Sequence, residues 1–163
     1  MAFESITDNK LAELLKLPKR ISNLGIRPKM KDGHEQFNYI LSCIGNDKYR
    51  FELYTRQNKR EGMEDAFSCG LNWVAPNGET LTLCRYNGPN HDHPNHLENE
   101  RLGYKCHIHK TTEKYIKANR KPEGFAEKTE RYYTLNGALH CLVTDCNISG
   151  IPTNQDLPKL IFE

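Results

Sequence analysis

Two pairs of alternating segments, each joined by a tight-turn signal, constrain the fold of this chain more than any other feature. QFNYILSCI (36–44) is rich in aromatic and β-branched residues, Gly45-Asn46-Asp47 supplies a turn, and KYRFELYTR (48–56) sets Tyr49, Phe51 and Leu53 against Arg50, Glu52 and Tyr54. AFSCGLNWV (66–74) and ETLTLCRYN (79–87) repeat the arrangement around Pro76-Asn77-Gly78. A period of two puts successive side chains on opposite faces of a strand, and strands joined so closely pair as antiparallel hairpins.

The remaining segments extend this framework. LGYKCHIHK (102–110) has the character of a fifth strand, and residues 88–99 before it are polar and irregular. Thr7 and Asp8 are candidate N-caps for LAELLKL, in which Leu11, Leu14 and Leu15 share one face and Pro18 stops the helix. The stretch that follows, to Gly33, reads as a loop. Residues 129–146 place Tyr132, Leu135, Leu139, Leu142, Val143 and Cys146 on one stripe of a closing helix, capped near Asn147 and followed by Pro152. The expected fold class is α+β: a single antiparallel sheet of about five strands flanked by an N-terminal and a C-terminal helix. The 163 residues form one domain without repeats, long enough to bury a core without disulfides.

Composition narrows the setting. With 37% hydrophobic and 27% charged residues, and no apolar run near the roughly 18 that a membrane span needs, no membrane role is expected. MAFESITDNK lacks an apolar signal region, so a cytoplasmic protein with reduced thiols is expected. Cys43, Cys69, Cys84, Cys106, Cys141 and Cys146 show no CxxC spacing and read as small core residues. The net charge of +2 conceals clustering: Lys16, Lys19, Arg20, Arg27, Lys29 and Lys31 occur without an intervening acid. A second group, Lys48, Arg50, Arg56, Lys59 and Arg60, is opposed by Glu52 alone within its span. Such clusters attract phosphate or an acidic protein surface, and the first is the expected partner contact.

Five of the seven histidines fall between His91 and His109, together with Cys106. On a strand His107 and His109 project from one face while Cys106 and Ile108 face the other way. The loop bearing His91, His93 and His96 immediately precedes that strand and can fold back to supply further ligands. The expected metal ligands are His91, His93, His107 and His109, with His96 in reserve. Zinc suits imidazole, takes four ligands in structural sites and does no redox chemistry. An ion would also order a loop that has few apolar residues of its own. His34, beside Gly33 in a loop, and His140, on the closing helix, read as non-ligands.

The same residues admit two chemical alternatives. His107 and His109 with Arg85, Tyr86, Thr111 and Thr112 could cleave RNA without a metal, as in the toxin of a toxin–antitoxin pair. A three-histidine zinc with an open water position could use Glu98 or Glu100 as base, although no HExxH motif is present. His109-Lys110-Thr111 matches one HxT motif of the two-histidine phosphoesterases, which need two.

The succession CRYNGPNHDHPN, GYKCHIHKTTEKY and CNISGIP resembles a family of small, poorly characterised bacterial and phage proteins, in which a histidine-bearing loop precedes an HxH strand and a terminal helix. The likeness covers residues 80–155 and implies a site at His91, His107 and His109, with Arg85 and Tyr86 just before it. His93 stands where a small polar residue is expected. Phage members of this kind resemble accessory proteins that act against host defence, including zinc-containing inhibitors of CRISPR nucleases. The resemblance therefore implies a zinc-binding, non-enzymatic interaction protein in the host cytosol. Its partner would be a CRISPR effector nuclease, with nucleic acid as a further contact through the basic clusters.

Overall fold

Glycines in the left-handed region close both hairpins: Gly45 (φ +83°) follows β3 (His34–Cys43) ahead of β4 (Arg50–Asn58), and Gly78 (φ +88°) lies between β5 (Phe67–Val74) and β6 (Thr80–Asn87). The register keeps apolar side chains together, pairing Tyr39 with Leu53, Leu41 with Phe51, Leu53 with Leu71 and Trp73 with Leu81. A bulge after Leu71 shifts the β5–β6 register, so that Leu71 pairs with Cys84 while Asn72 pairs with Thr82.

The structure, a computed structural model, describes residues 3–23 and 25–151, and its sheet is larger than the five strands expected. Nine strands run in the order β10-β9-β6-β5-β4-β3-β1-β11, and β2 also pairs with β3. The added members are β1 (Lys19–Ile21), β2 (Lys29–Lys31), β10 (Phe125–Lys128) and β11 (Ile148–Ser149), around β9 (His107–Lys110). β1 and β11 are parallel, so the sheet is mixed and not antiparallel throughout. β7 (Pro94–Asn95) and β8 (Glu100–Arg101) form a separate two-stranded sheet. The expected five-stranded sheet between two helices is therefore wrong. The extra strands span only two to four residues, too short to show a period of two, and Lys29-Met30-Lys31 is exposed along its whole length.

Helices α1 (Asp8–Lys16) and α3 (Leu135–Asp145) contribute Leu11, Leu14, Leu139 and Leu142 to one core with Phe51, Leu53, Cys69 and Leu71. The cap of α1 is Thr7, whose side chain accepts from the Lys10 amide; Leu17, ahead of Pro18, turns extended (ψ 135°), as the proline ring requires. α3 is shorter than the stripe predicts, because Thr134 caps it by accepting from the Gly137 amide at 3.1 Å. Tyr132 consequently lies outside the helix, with its hydroxyl on the carbonyls of Asn87 (2.9 Å) and His107 (3.1 Å). The expected end at Asn147 is observed, with that residue at φ +55°. Pro152 lies outside the described residues. A third helix, α2 (Glu113–Lys117), sits between β9 and β10.

Lys19, expected at a partner surface, is fully buried. Its ammonium donates to the carbonyls of Leu15, Leu17 and Cys146 at 2.8–2.9 Å, joining the C-terminal ends of α1 and α3, and lies 4.8 Å from the Phe51 ring centre. Burial pulls its pKa down to about 8, which leaves it charged at neutral pH. All six cysteines are buried and unpaired by disulfides. No helix among the described residues is long and apolar enough to cross a membrane.

Candidate metal centre

Helices α1 and α3 cover one face of the sheet, and the histidines occupy the other. Cross-strand pairing sets Arg85 beside His109 and Asn87 beside His107, whereas Tyr86 pairs with Ile108 on the core side. Cys106 joins the core, and β9 begins only at His107. His107 is fully buried and His109 nearly so.

Residues 88–106 fold back over this face and are held by polar contacts. Asn95, completely buried, mimics a neighbouring strand: its amide nitrogen donates to the Ala126 carbonyl (2.8 Å) and its oxygen accepts from the Ala126 amide (2.9 Å) on β10. Asp92 accepts from the Gly103 amide at 2.8 Å and from Arg101 at 3.1 Å. The buried Tyr115 of α2 accepts from the Leu97 amide (3.2 Å) and donates to Glu98 (2.6 Å). The loop thus has order of its own and does not depend on an ion alone for it, contrary to the reading of its composition.

This fold-back brings His91 and His93 onto His107, and one ligand atom from each lies within 4.8 Å of the others. The rings of His93 and His109 approach to 4.5 Å between centres, and those of His107 and His109 to 5.0 Å. His109 thus adjoins the group without belonging to the tight triad. His96 does not join it; it lines a neighbouring cavity of about 680 Å³ with His93, Arg120 and Lys121. His34 lies in β3, with Nδ1 3.1 Å from the Asp32 carbonyl, and His140 lies on α3.

Three of the imidazoles have an outer backbone carbonyl that fixes the tautomer. Nδ1 of His107 is 2.8 Å from the Lys105 carbonyl, Nδ1 of His109 is 2.8 Å from that of Glu123, and Nε2 of His93 is 2.8 Å from that of Gly124. A carbonyl can only accept, so those nitrogens carry the protons and leave lone pairs on Nε2 of His107 and His109 and on Nδ1 of His93. His91 places Nδ1 3.2 Å from the Asn90 side-chain oxygen. Nε2 of His107 is buried without a hydrogen-bond partner. Burial is the main cause that depresses the pKa of His107 to about 4 and of His109 to about 3, and it lowers that of His91 as well. All three are neutral at neutral pH, the state in which imidazole ligates a metal.

Sequence reading missed the residues that seat these rings. Lys121-Pro122-Glu123-Gly124 is a turn closed by the Gly124 amide on the Lys121 carbonyl at 2.9 Å. It supplies both the Glu123 and Gly124 carbonyls, and a Cβ at Gly124 would lie 2.8 Å from the Tyr115 ring. Proline followed two residues later by glycine was the signal available. Glu123 also holds Arg85 through a 2.6 Å ion pair.

The groups required for the two chemical alternatives are dispersed or engaged. Tyr86 points into the core toward Asp145, Thr111 donates to the Thr82 carbonyl, and Thr112 caps α2. Glu98 is bound by Lys114 and Tyr115, and Glu100 by Asn95.

Compared with family models, curated proteins and solved structures, the chain matches none. Fold and site together define a mostly β protein, with a candidate metal centre built of imidazoles on the sheet face opposite α1 and α3.

Proposed function

We propose that the chain binds one zinc ion through His91, His93 and His107, with His109 as fourth ligand, and that the ion clasps residues 88–106 to the sheet. The observation that carries this reading is the buried, unpartnered Nε2 of His107, in a ring whose other nitrogen is committed to a carbonyl. An unsatisfied buried acceptor costs about 1–3 kcal/mol, and a metal ion among neutral imidazoles removes that cost. An all-imidazole set selects zinc over the hard cations, which prefer oxygen ligands.

The centre is structural in this proposal, and the protein acts by binding. Asp92, Glu98, Glu100 and Glu123, the acids of the surrounding segments, each have a hydrogen-bonded partner, so none of these four is left poised as a base. Metal-free RNA cleavage needs one protonated histidine beside a neutral one, which the depressed pKa values of His107 and His109 disfavour. The partner in this proposal is a nucleic-acid-targeting nuclease of a host defence system, the CRISPR effector that the sequence resemblance implies. Adding the protein to such an effector should suppress cleavage of its target, and His107→Ala should relieve the suppression. RNA cleavage by the purified protein in chelator would overturn the non-enzymatic reading.

A further inference from the structure

The face of the sheet that bears the histidines stays polar and open on the far side of the centre. From β1 to β6 its side chains form rows given by the register: Arg20, Ser42 and Arg50; Ile40, Glu52 and Asn72; Asn38, Tyr54, Gly70 and Arg85; Lys29, Gln36, Arg56 and Ser68. Arg20, Lys29, Arg50 and Arg56 are exposed. Glu52 is the one carboxylate on this face of those strands.

Two basic clusters far apart in sequence thus meet on one surface, since β2 carries Lys29 to Gln36 and β4 carries Arg56 to the same residue. Arg85, Arg101 and Arg131 are ion-paired, whereas Arg20, Arg50 and Arg56 have no ion-pair partner among the described residues.

One aromatic ring belongs to this surface. Gly70 leaves room for Tyr54, whose ring carbons would lie 2.6–2.8 Å from a Cβ at that position. The ring is thereby laid over Gly70, which the register pairs with Arg85 on the next strand. Unpaired guanidinium groups around an aromatic ring on an open sheet match the chemistry of a single-stranded polynucleotide: phosphates meet the cations and a base stacks on the ring.

We propose that this face binds single-stranded nucleic acid, with Arg20, Lys29, Arg50 and Arg56 on phosphates and Tyr54 under a base. The four strand steps from β1 to β6 span about 19 Å, room for a short single strand. The proposal does not depend on which metal the histidines hold, or on whether they hold one. A protein partner with an acidic surface would need the same charges and would not need the ring.

The test is fluorescence anisotropy of the full-length chain with labelled single-stranded RNA and DNA of one mixed sequence, across a salt series. The expected result is binding whose logarithm falls linearly with log salt, and the triple variant Arg20→Gln, Arg50→Gln, Arg56→Gln should flatten that slope by about 2. Tyr54→Ala should weaken binding roughly ten-fold, and Tyr54→Phe, which keeps the ring, should bind as the parent does. Circular dichroism melting verifies that these surface variants fold. A stronger RNA arm would assign recognition of the 2′-hydroxyl, and equal arms would assign the shared backbone. Absence of binding at low salt, a triple variant that binds like the parent, or competition by polyglutamate as effective as by RNA would overturn the proposal.

Discussion

His93 and His107 stack with ring centres 5.5 Å apart and planes inclined by only 16°, while each donates its ring N–H to a backbone carbonyl on the outer side. Two parallel imidazoles facing each other with free lone pairs gain little from contact alone, and a shared cation turns the arrangement into an attraction. If that cation joins the loop to the sheet, removing it should loosen the loop first. Hydrogen exchange with and without chelator should show faster exchange over residues 88–106 on metal removal and unchanged protection in β3, β4 and β5. Uniform acceleration across the chain would instead assign the metal a role in global folding.

Acid should act on the metal-free protein through the same histidines. His107 and His109 titrate at about 4 and about 3 in the fold, below the usual 6.5. Between those values the unfolded chain holds more protons than the folded one. Stability should therefore fall as pH drops below about 6.5, on the order of 1.4 kcal/mol per pH unit for each histidine. Urea midpoints of the chelated protein at pH of about 7, 6 and 5 measure this directly. A flat series across that window would show that the two rings are not buried neutral.

Asn95 ties the loop to β10 by two hydrogen bonds with the Ala126 backbone. Asn95→Ala leaves a buried amide and a buried carbonyl without partners, at a cost of about 2–4 kcal/mol. Because this contact also helps hold His93 in place, metal affinity should fall by about 10-fold or more, as for other groups that position ligands. Competition with a chromogenic chelator reads that change, and an unaltered affinity would separate the clamp from the centre.

Lys19 should matter to stability and not to any partner. Lys19→Met removes the donor shared by the carbonyls of Leu15, Leu17 and Cys146. A net loss of about 2–3 kcal/mol is expected, a fall of several degrees in Tm. Lys29→Met, at an exposed position, should change Tm little. Equal effects at both positions would contradict the buried placement.

The four central strands were legible because each is eight to ten residues long and alternates around a turn written in Gly, Asn, Asp or Pro. β1, β2, β10 and β11 were not, since pairing with a neighbour defines them and their own pattern does not. Lys19 shows the limit most plainly: a lysine among basic neighbours reads as surface, and only the convergence of two helix ends makes it internal. The same holds at the histidine centre. The HxH spacing gave the shared face of His107 and His109, but the choice of His93 over His96 depends on the Gly124 carbonyl, which lies 31 residues along the chain from His93.

The central claim is tested most directly by the metal content of protein purified without chelator, measured by inductively coupled plasma mass spectrometry beside its histidine variants. One zinc per chain is predicted for the parent and for His96→Ala, with loss of zinc in His107→Ala and in the combined His91→Ala, His93→Ala variant. Substoichiometric metal in the parent, together with a Tm that chelator leaves unchanged, would contradict the account.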